Sequence, residues 1–101
     1  MDEFQVTCVN KQNRQSAHEH ITHIGNTNAN WRMTREVAIQ RIESNKEKFY
    51  TVDSATGAKV YIGVVRGDGN KAPYLRTYAD GKWNDNLLAL PECRAELNLI
   101  G

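Results

Sequence analysis

The sequence predicts an α+β fold: a mainly antiparallel sheet of four or five strands packed against one helix at about residues 34–44. Three observations predict it. The segment from Thr34 to Ser44 places apolar residues at three- and four-residue spacing, the period of a helix that buries one stripe. The stretches on either side are rich in aromatic and β-branched residues and alternate with a period of two, as half-buried strands do. Short Gly-, Asp- and Asn-containing turns separate those stretches, and such turns suit hairpins. With 101 residues, 40% of them hydrophobic, the chain makes one domain over residues 1–101. A chain of this length buries roughly 65% of its unfolded surface, enough for a modest core and too little for a large cofactor-binding architecture.

Each element follows from its own residues. Phe4, Val6 and Cys8 alternate with Gln5 and Thr7, which predicts a first strand from Phe4 to Asn10. The polar stretch from Lys11 to Ser16 is a surface loop. A second strand is expected from about Ala17 to Ile24; Ile21 and Ile24 differ in parity, so both can be buried only if a bulge intervenes. Gly25 to Asn30 is turn chemistry throughout. Thr34 can accept from first-turn amides and Glu36 suits the positive end of the helix dipole. Val37, Ala38, Ile39 and Ile42 then form the buried stripe of a helix too short to be stable alone. Strands are expected at Phe49–Val52, Lys59–Val65 and Tyr74–Tyr78, the first two joined through Asp53 to Gly57. Val60, Ile62 and Val64 share the face that meets the helix, and Tyr61, Gly63 and Val65 face the other side. Asp80-Gly81 turns the chain again, Trp83 opens the returning segment, and Leu87, Leu88 and Leu90 close the core before Pro91.

The charge balance narrows the function. Thirteen Lys and Arg against twelve Asp and Glu give a net charge of +1, so no global excess of cations draws in nucleic acid. No apolar run approaches the ~20 residues that span a bilayer. Met1-Asp2-Glu3 places acids where a secretion signal has basic residues, so the expected location is cytoplasmic, with Cys8 and Cys93 as thiols.

The catalytic signals are weak. His18, His20 and His23 are potential metal ligands, and on a strand His18 and His20 project from one face. A tetrahedral site wants four donors, and no second cluster supplies them. Cys8 lies on an apolar strand face where a thiol is inert, and no carboxylates are spaced as an acid and base pair. Arg66-Gly67-Asp68-Gly69-Asn70-Lys71 lacks the Lys-Ser or Lys-Thr of a phosphate loop and reads as a hairpin tip. Trp31-Arg32 reads as an anchor at the helix entry. No cofactor and no catalytic residue are assigned.

Tyr74, Arg76 and Tyr78 stand out by contrast. On a strand they line one face, two stacking rings around a guanidinium. That combination suits a protein-binding face, where Tyr, Trp and Arg are enriched, or single-stranded bases and nucleotides. The bland alternative is a covered sheet face with Arg76 paired to an acid such as Asp80.

The run Tyr74-Leu75-Arg76-Thr77-Tyr78-Ala79-Asp80-Gly81, with Asn84-Asp85-Asn86-Leu87-Leu88 and Leu90-Pro91-Glu92-Cys93 after it, resembles the signature of an uncharacterised bacterial and phage family, domain of unknown function 3892. Upstream, Ile21-Thr22, Ile24-Gly25, Trp31, Ala38-Ile39 and Phe49-Tyr50 follow that family's order, so the resemblance runs from about His18 to Cys93. It implies that Arg76, Asp80, Asn84 and Asn86 form one motif, either a hydrogen-bonded brace or a ligand site. Asp and Asn commonly satisfy backbone groups in irregular turns, which favours the brace. The expected function is a small non-catalytic binding module that takes a protein partner through Tyr74, Arg76, Tyr78, Asp80, Asn84 and Asn86. The alternatives are single-stranded nucleic acid or a nucleotide on the same face, and metal-assisted chemistry on the histidine strand.

Overall fold

A computed structural model describes residues 2–11, 21–66, 69, 72–79 and 81–101. The elements in order are β1 (Asp2–Gln5), β2 (Cys8–Lys11), β3 (Ile21–Asn26), β4 (Trp31–Thr34), α1 (Arg35–Glu43), β5 (Glu47–Val52), β6 (Lys59–Val65), β7 (Tyr74–Ala79), β8 (Lys82–Asn84) and β9 (Asn98–Leu99). The fold is α+β, as expected, but the described strands form two sheets, ordered β1-β5-β6-β7-β8 and β2-β3-β4-β9. Pairing is antiparallel except for β1 with β5 and β4 with β9. The helix contacts strands of both sheets.

The expected first strand divides because the chain changes sheets in its middle. The Val6 amide donates to the Tyr50 carbonyl at 2.7 Å, in the first sheet, and the next amide, Thr7, donates to the Gly25 carbonyl at 2.9 Å, in the second. The period of two does not survive the crossing: Val6 belongs to the main core, but beyond the switch it is Val9, of the other parity, that joins that core. Phe4 packs against the core that holds Val6 and Val9, whereas Cys8 is buried on the other side of β2 in a small cluster with Cys93 and Leu97.

The bulge demanded by Ile21 and Ile24 is present. Asn10 pairs with His23, but Lys11 pairs with Ile21, so Thr22 is the extra residue and both isoleucines reach the core at 0% exposure. The Thr22 hydroxyl donates to the Asn10 carbonyl at 3.3 Å beside this irregularity. Residues 17–20 of the expected strand lie outside the described residues.

The turn expected from Gly25 begins later, because Gly25 and Asn26 still belong to β3 and pair with Arg32 and Trp31 of β4. Gly25 is required there: a Cβ would sit 2.6 Å from the Trp31 carbonyl oxygen and 2.9 Å from the Arg32 Cβ. Helix α1 starts where Thr34 caps it, accepting from the Val37 amide at 3.2 Å, an interaction worth about 1 kcal/mol. It stops at Ser44, whose amide donates to the Gln40 carbonyl, with Asn45 following at φ 59°. Ala38 and Ile39 are buried while Val37 and Ile42 pack at the edge of the core. Val60 and Ile62 face inward as expected, joined by Phe49, Leu75 and Leu87.

The cysteines overturn an expectation. Cys8 and Cys93 form a disulfide, with Cα atoms 4.9 Å apart across 85 residues of sequence. The C-terminal segment returns alongside β2: Val9 donates to the Pro91 carbonyl, and Cys93 donates to the Val9 carbonyl, both at 3.0 Å. Asn10 Nδ2 adds a bond to the Cys93 carbonyl at 3.0 Å. Local sequence shows nothing of this, because the two sulfurs meet through pairing of the chain's two ends.

Candidate functional site

The face of the first sheet that turns away from the helix is built by register. Tyr61 pairs with Tyr50 on one side and Tyr78 on the other, and Tyr78 pairs in turn with Trp83. Side chains of residues paired in this way share a face. The same register sets Gly63 opposite Arg76 and Val65 opposite Tyr74, so Tyr74, Arg76 and Tyr78 do line one side. Tyr61, Tyr78 and Trp83 are 38%, 46% and 40% exposed on it. The Tyr78 and Trp83 rings meet edge to face, with centroids 5.1 Å apart, and Tyr50 and Tyr61 do so at 6.2 Å. A shallow depression runs between Tyr61, Gly63, Tyr78 and Trp83, where the missing Gly63 side chain leaves room.

Its cations have partners. Glu3 accepts from the Tyr61 hydroxyl at 2.9 Å and from Lys59 Nζ at 3.3 Å. The tyrosine hydrogen bond first, and the lysine second, hold the Glu3 carboxyl below its usual range, while Glu3 raises both Lys59 and Tyr61. Lys59 also lies over the Tyr50 ring at 4.6 Å, and Lys48 over Tyr61 at 5.6 Å. Arg76 Nη2 pairs with Asp85 Oδ1 at 3.1 Å and Arg76 Nε donates to the Asn84 carbonyl at 3.3 Å. The expected candidate partner Asp80 lies outside the described residues.

Asn84 and Asn86 belong to a brace. The buried Thr77 hydroxyl lies against the Asn84 carbonyl at 3.1 Å and contacts Asn84 Oδ1. Asn84 Oδ1 also accepts from the Asn86 amide at 3.1 Å, and Thr77 Oγ1 accepts from the Leu87 amide at 3.3 Å. These bonds satisfy the turn that feeds Leu87, at 0% exposure, into the core. The loop thus holds the Arg76 end of the face in place.

His18 and His20 lie outside the described residues. The third, His23, has its Nδ1 2.9 Å from the Thr22 hydroxyl. No group of three or more potential metal ligands occurs among the described residues. Of the expected hairpin tip, Arg66 pairs with Glu43, while Gly67, Asp68, Asn70 and Lys71 are outside the described residues.

Sequence reasoning missed Tyr50, Tyr61 and Trp83 as members of the site, although it placed Tyr61 on the side away from the helix. A signal for Trp83 existed: Asp80-Gly81 is a turn sequence that suits a hairpin, and the observed pairing of Ala79 with Lys82 sets Trp83 beside Tyr78. Tyr50 joins through the register of β5 against β6, which depends on the closure of the five-residue loop before Ala58.

Fold and face together define a small α+β domain whose two sheets enclose one helix and which leaves an aromatic sheet surface open. The chain belongs to the family described as Protein of unknown function (DUF3892), whose pattern matches residues 5–91. No curated protein and no solved structure matches it. No helix among the described residues is long and apolar enough to cross a membrane.

Proposed function

We propose that this domain is a non-catalytic binding module that takes a protein partner on the outer face of its first sheet. One observation carries the proposal: Tyr61, Tyr78 and Trp83 expose large rings side by side around a shallow depression, at 38%, 46% and 40%. Tyr and Trp offer broad contact area at little cost in side-chain freedom, which is why they dominate interaction hot spots. Arg76 stands at the rim, oriented by Asp85 and Asn84.

The same rings also suit stacked bases, the second reading. A phosphate backbone needs cations to neutralise it, and here Lys59 is bonded to Glu3 and Arg76 to Asp85. That pairing favours the protein. The test is photo-crosslinking from position 78 in a lysate of the native host, with Trp83→Ala and Arg76→Ala compared at equal fold stability. Capture of one protein, lost in Trp83→Ala and insensitive to nuclease, supports the proposal; salt-dependent capture of oligonucleotides instead overturns it in favour of the second reading.

The location enters the proposal through the disulfide. A cytosol buffered by glutathione keeps most thiols reduced, whereas oxidising compartments form disulfides readily. The Cys8–Cys93 disulfide therefore turns the proposed location from the cytoplasm toward an oxidising compartment.

A further inference from the structure

Between the two sheets, Phe4 of β1, Phe49 of β5 and Trp31 and Met33 of β4 line a pocket of about 240 Å³ that Ile100 walls from the C-terminus. Met33 and Phe49 are almost fully buried at its floor, each at 1% exposure. The three rings stand at different tilts: Phe4 is edge-on to Trp31 at 6.4 Å, and Phe49 is tilted against both, at 5.9 and 6.1 Å. A further ring entering this space meets both faces and edges, the arrangements that aromatic pairs prefer.

The walls are apolar except for Arg41 and Glu47, which pair at 2.6 Å and are both half-buried. A charged ligand would bring an uncompensated charge beside this already neutral pair, at a desolvation cost. An uncharged one would not. Arg41 gives a single N–H, from Nη1, to Glu47 among the described residues, and a guanidinium carries five, so donors remain for a ligand's acceptor or π face. The size sets the other limit. An apolar cavity of about 150 Å³ stays dry and binds benzene; this pocket is larger by more than half.

We propose that this pocket is a binding site for an uncharged aromatic molecule of about two fused rings. It is separate from the outer sheet face, and neither proposal depends on the other. The test uses the full chain and indole as the probe, read by the methionine methyl signals in carbon-edited NMR. The sequence contains two methionines, Met1 and Met33, so the reporter is unambiguous. Indole should move the Met33 methyl saturably by ring current, leave Met1 in place, and bind about tenfold or more tightly than indole-3-acetate, which carries a charge. Ile100→Trp should fill the pocket and abolish the shift. A Met33 signal that does not saturate overturns the proposal, as does an unchanged indole response in Ile100→Trp. Shifts confined to Tyr61, Tyr78 and Trp83 also overturn it, by placing the ligand on the outer face. Should Ile100→Trp fail to fold, the wild-type titration and the charged competitor still decide the matter.

Discussion

The Trp83 indole lies directly over Gly63: a Cβ built on Gly63 would stand 3.2 Å from Cη2 and 3.3 Å from Cζ3 of that ring. Two strands away in sequence order, a glycine thus provides the seat on which an exposed tryptophan is laid flat. Trp83 is on the surface and can shift, so filling the seat displaces the ring without breaking the core.

Gly63→Val should therefore move Trp83 off the sheet while changing stability by less than about 1 kcal/mol, because β-branched residues suit strands. Trp83 emission should shift to the red and partner capture should fall, measured against Trp31→Phe to isolate the signal. An unshifted spectrum would show that the indole does not rest on residue 63.

The brace gives a second prediction, which separates structure from binding. Thr77→Val keeps the shape of a fully buried side chain but leaves the Leu87 amide without its acceptor, a loss of about 1–3 kcal/mol. Thr77→Ser retains the hydroxyl and should recover the part of this loss that is due to the hydrogen bond. Arg76→Ala breaks an ion pair whose Asp85 side is 72% exposed, so it should cost at most about 1 kcal/mol. Urea midpoints at equal slope compare the three; a larger loss in Arg76→Ala than in Thr77→Val would reverse the assignment of brace and rim.

Much of this was legible in the sequence, for local reasons. Thr34 and Glu36 mark the helix start because capping involves residues a few positions apart. The parity conflict between Ile21 and Ile24 required a bulge because side chains alternate along any strand. What sequence patterns hid were the long-range pairings. β4 disappears into turn-like residues, since Trp31 and Met33 become a strand only by pairing with β3 and with Asn98–Leu99 from the far end of the chain. The break between β1 and β2 is hidden for the same reason: Phe4, Val6 and Cys8 alternate in the sequence, but the change of hydrogen-bonding partner after Val6 sends Cys8 to a separate cluster and turns Val9 to the main core. Of the site, the Tyr74, Arg76 and Tyr78 alignment follows from strand period alone, but the pairing of Arg76 with Asp85 needed the turn to be built.

His23 supplies a pH dependence. Burial, helped by the Arg32 charge and opposed by Glu36, lowers its pKa below the ordinary 6.5. A group with a depressed folded-state value contributes stability that is present above its unfolded value and lost as the pH falls through the folded one. Stability should therefore decline as the pH is lowered from about 6.5, and His23→Asn should flatten that part of the profile. Thermal melts between neutral pH and the carboxylate range measure it; identical slopes for the two proteins would remove His23 as the cause.

The disulfide makes the largest prediction, because it joins positions 85 residues apart. Closing a loop of that length removes unfolded-state entropy worth about 4.5 kcal/mol, a model-dependent value. Small domains have only about 5–15 kcal/mol in all. Reduction, or Cys8→Ala with Cys93→Ala, should thus lower Tm by roughly 20 °C or more. The loss should begin in the C-terminal segment, where Val9, Asn10 and Cys93 share hydrogen bonds beside the sulfurs. Hydrogen exchange at the Val9 and Cys93 amides, followed with and without reductant, tests that order. Acid-quenched alkylation of protein in its native host then settles where the chain works: alkylated cysteines place it in a reducing compartment, and protected ones in an oxidising compartment.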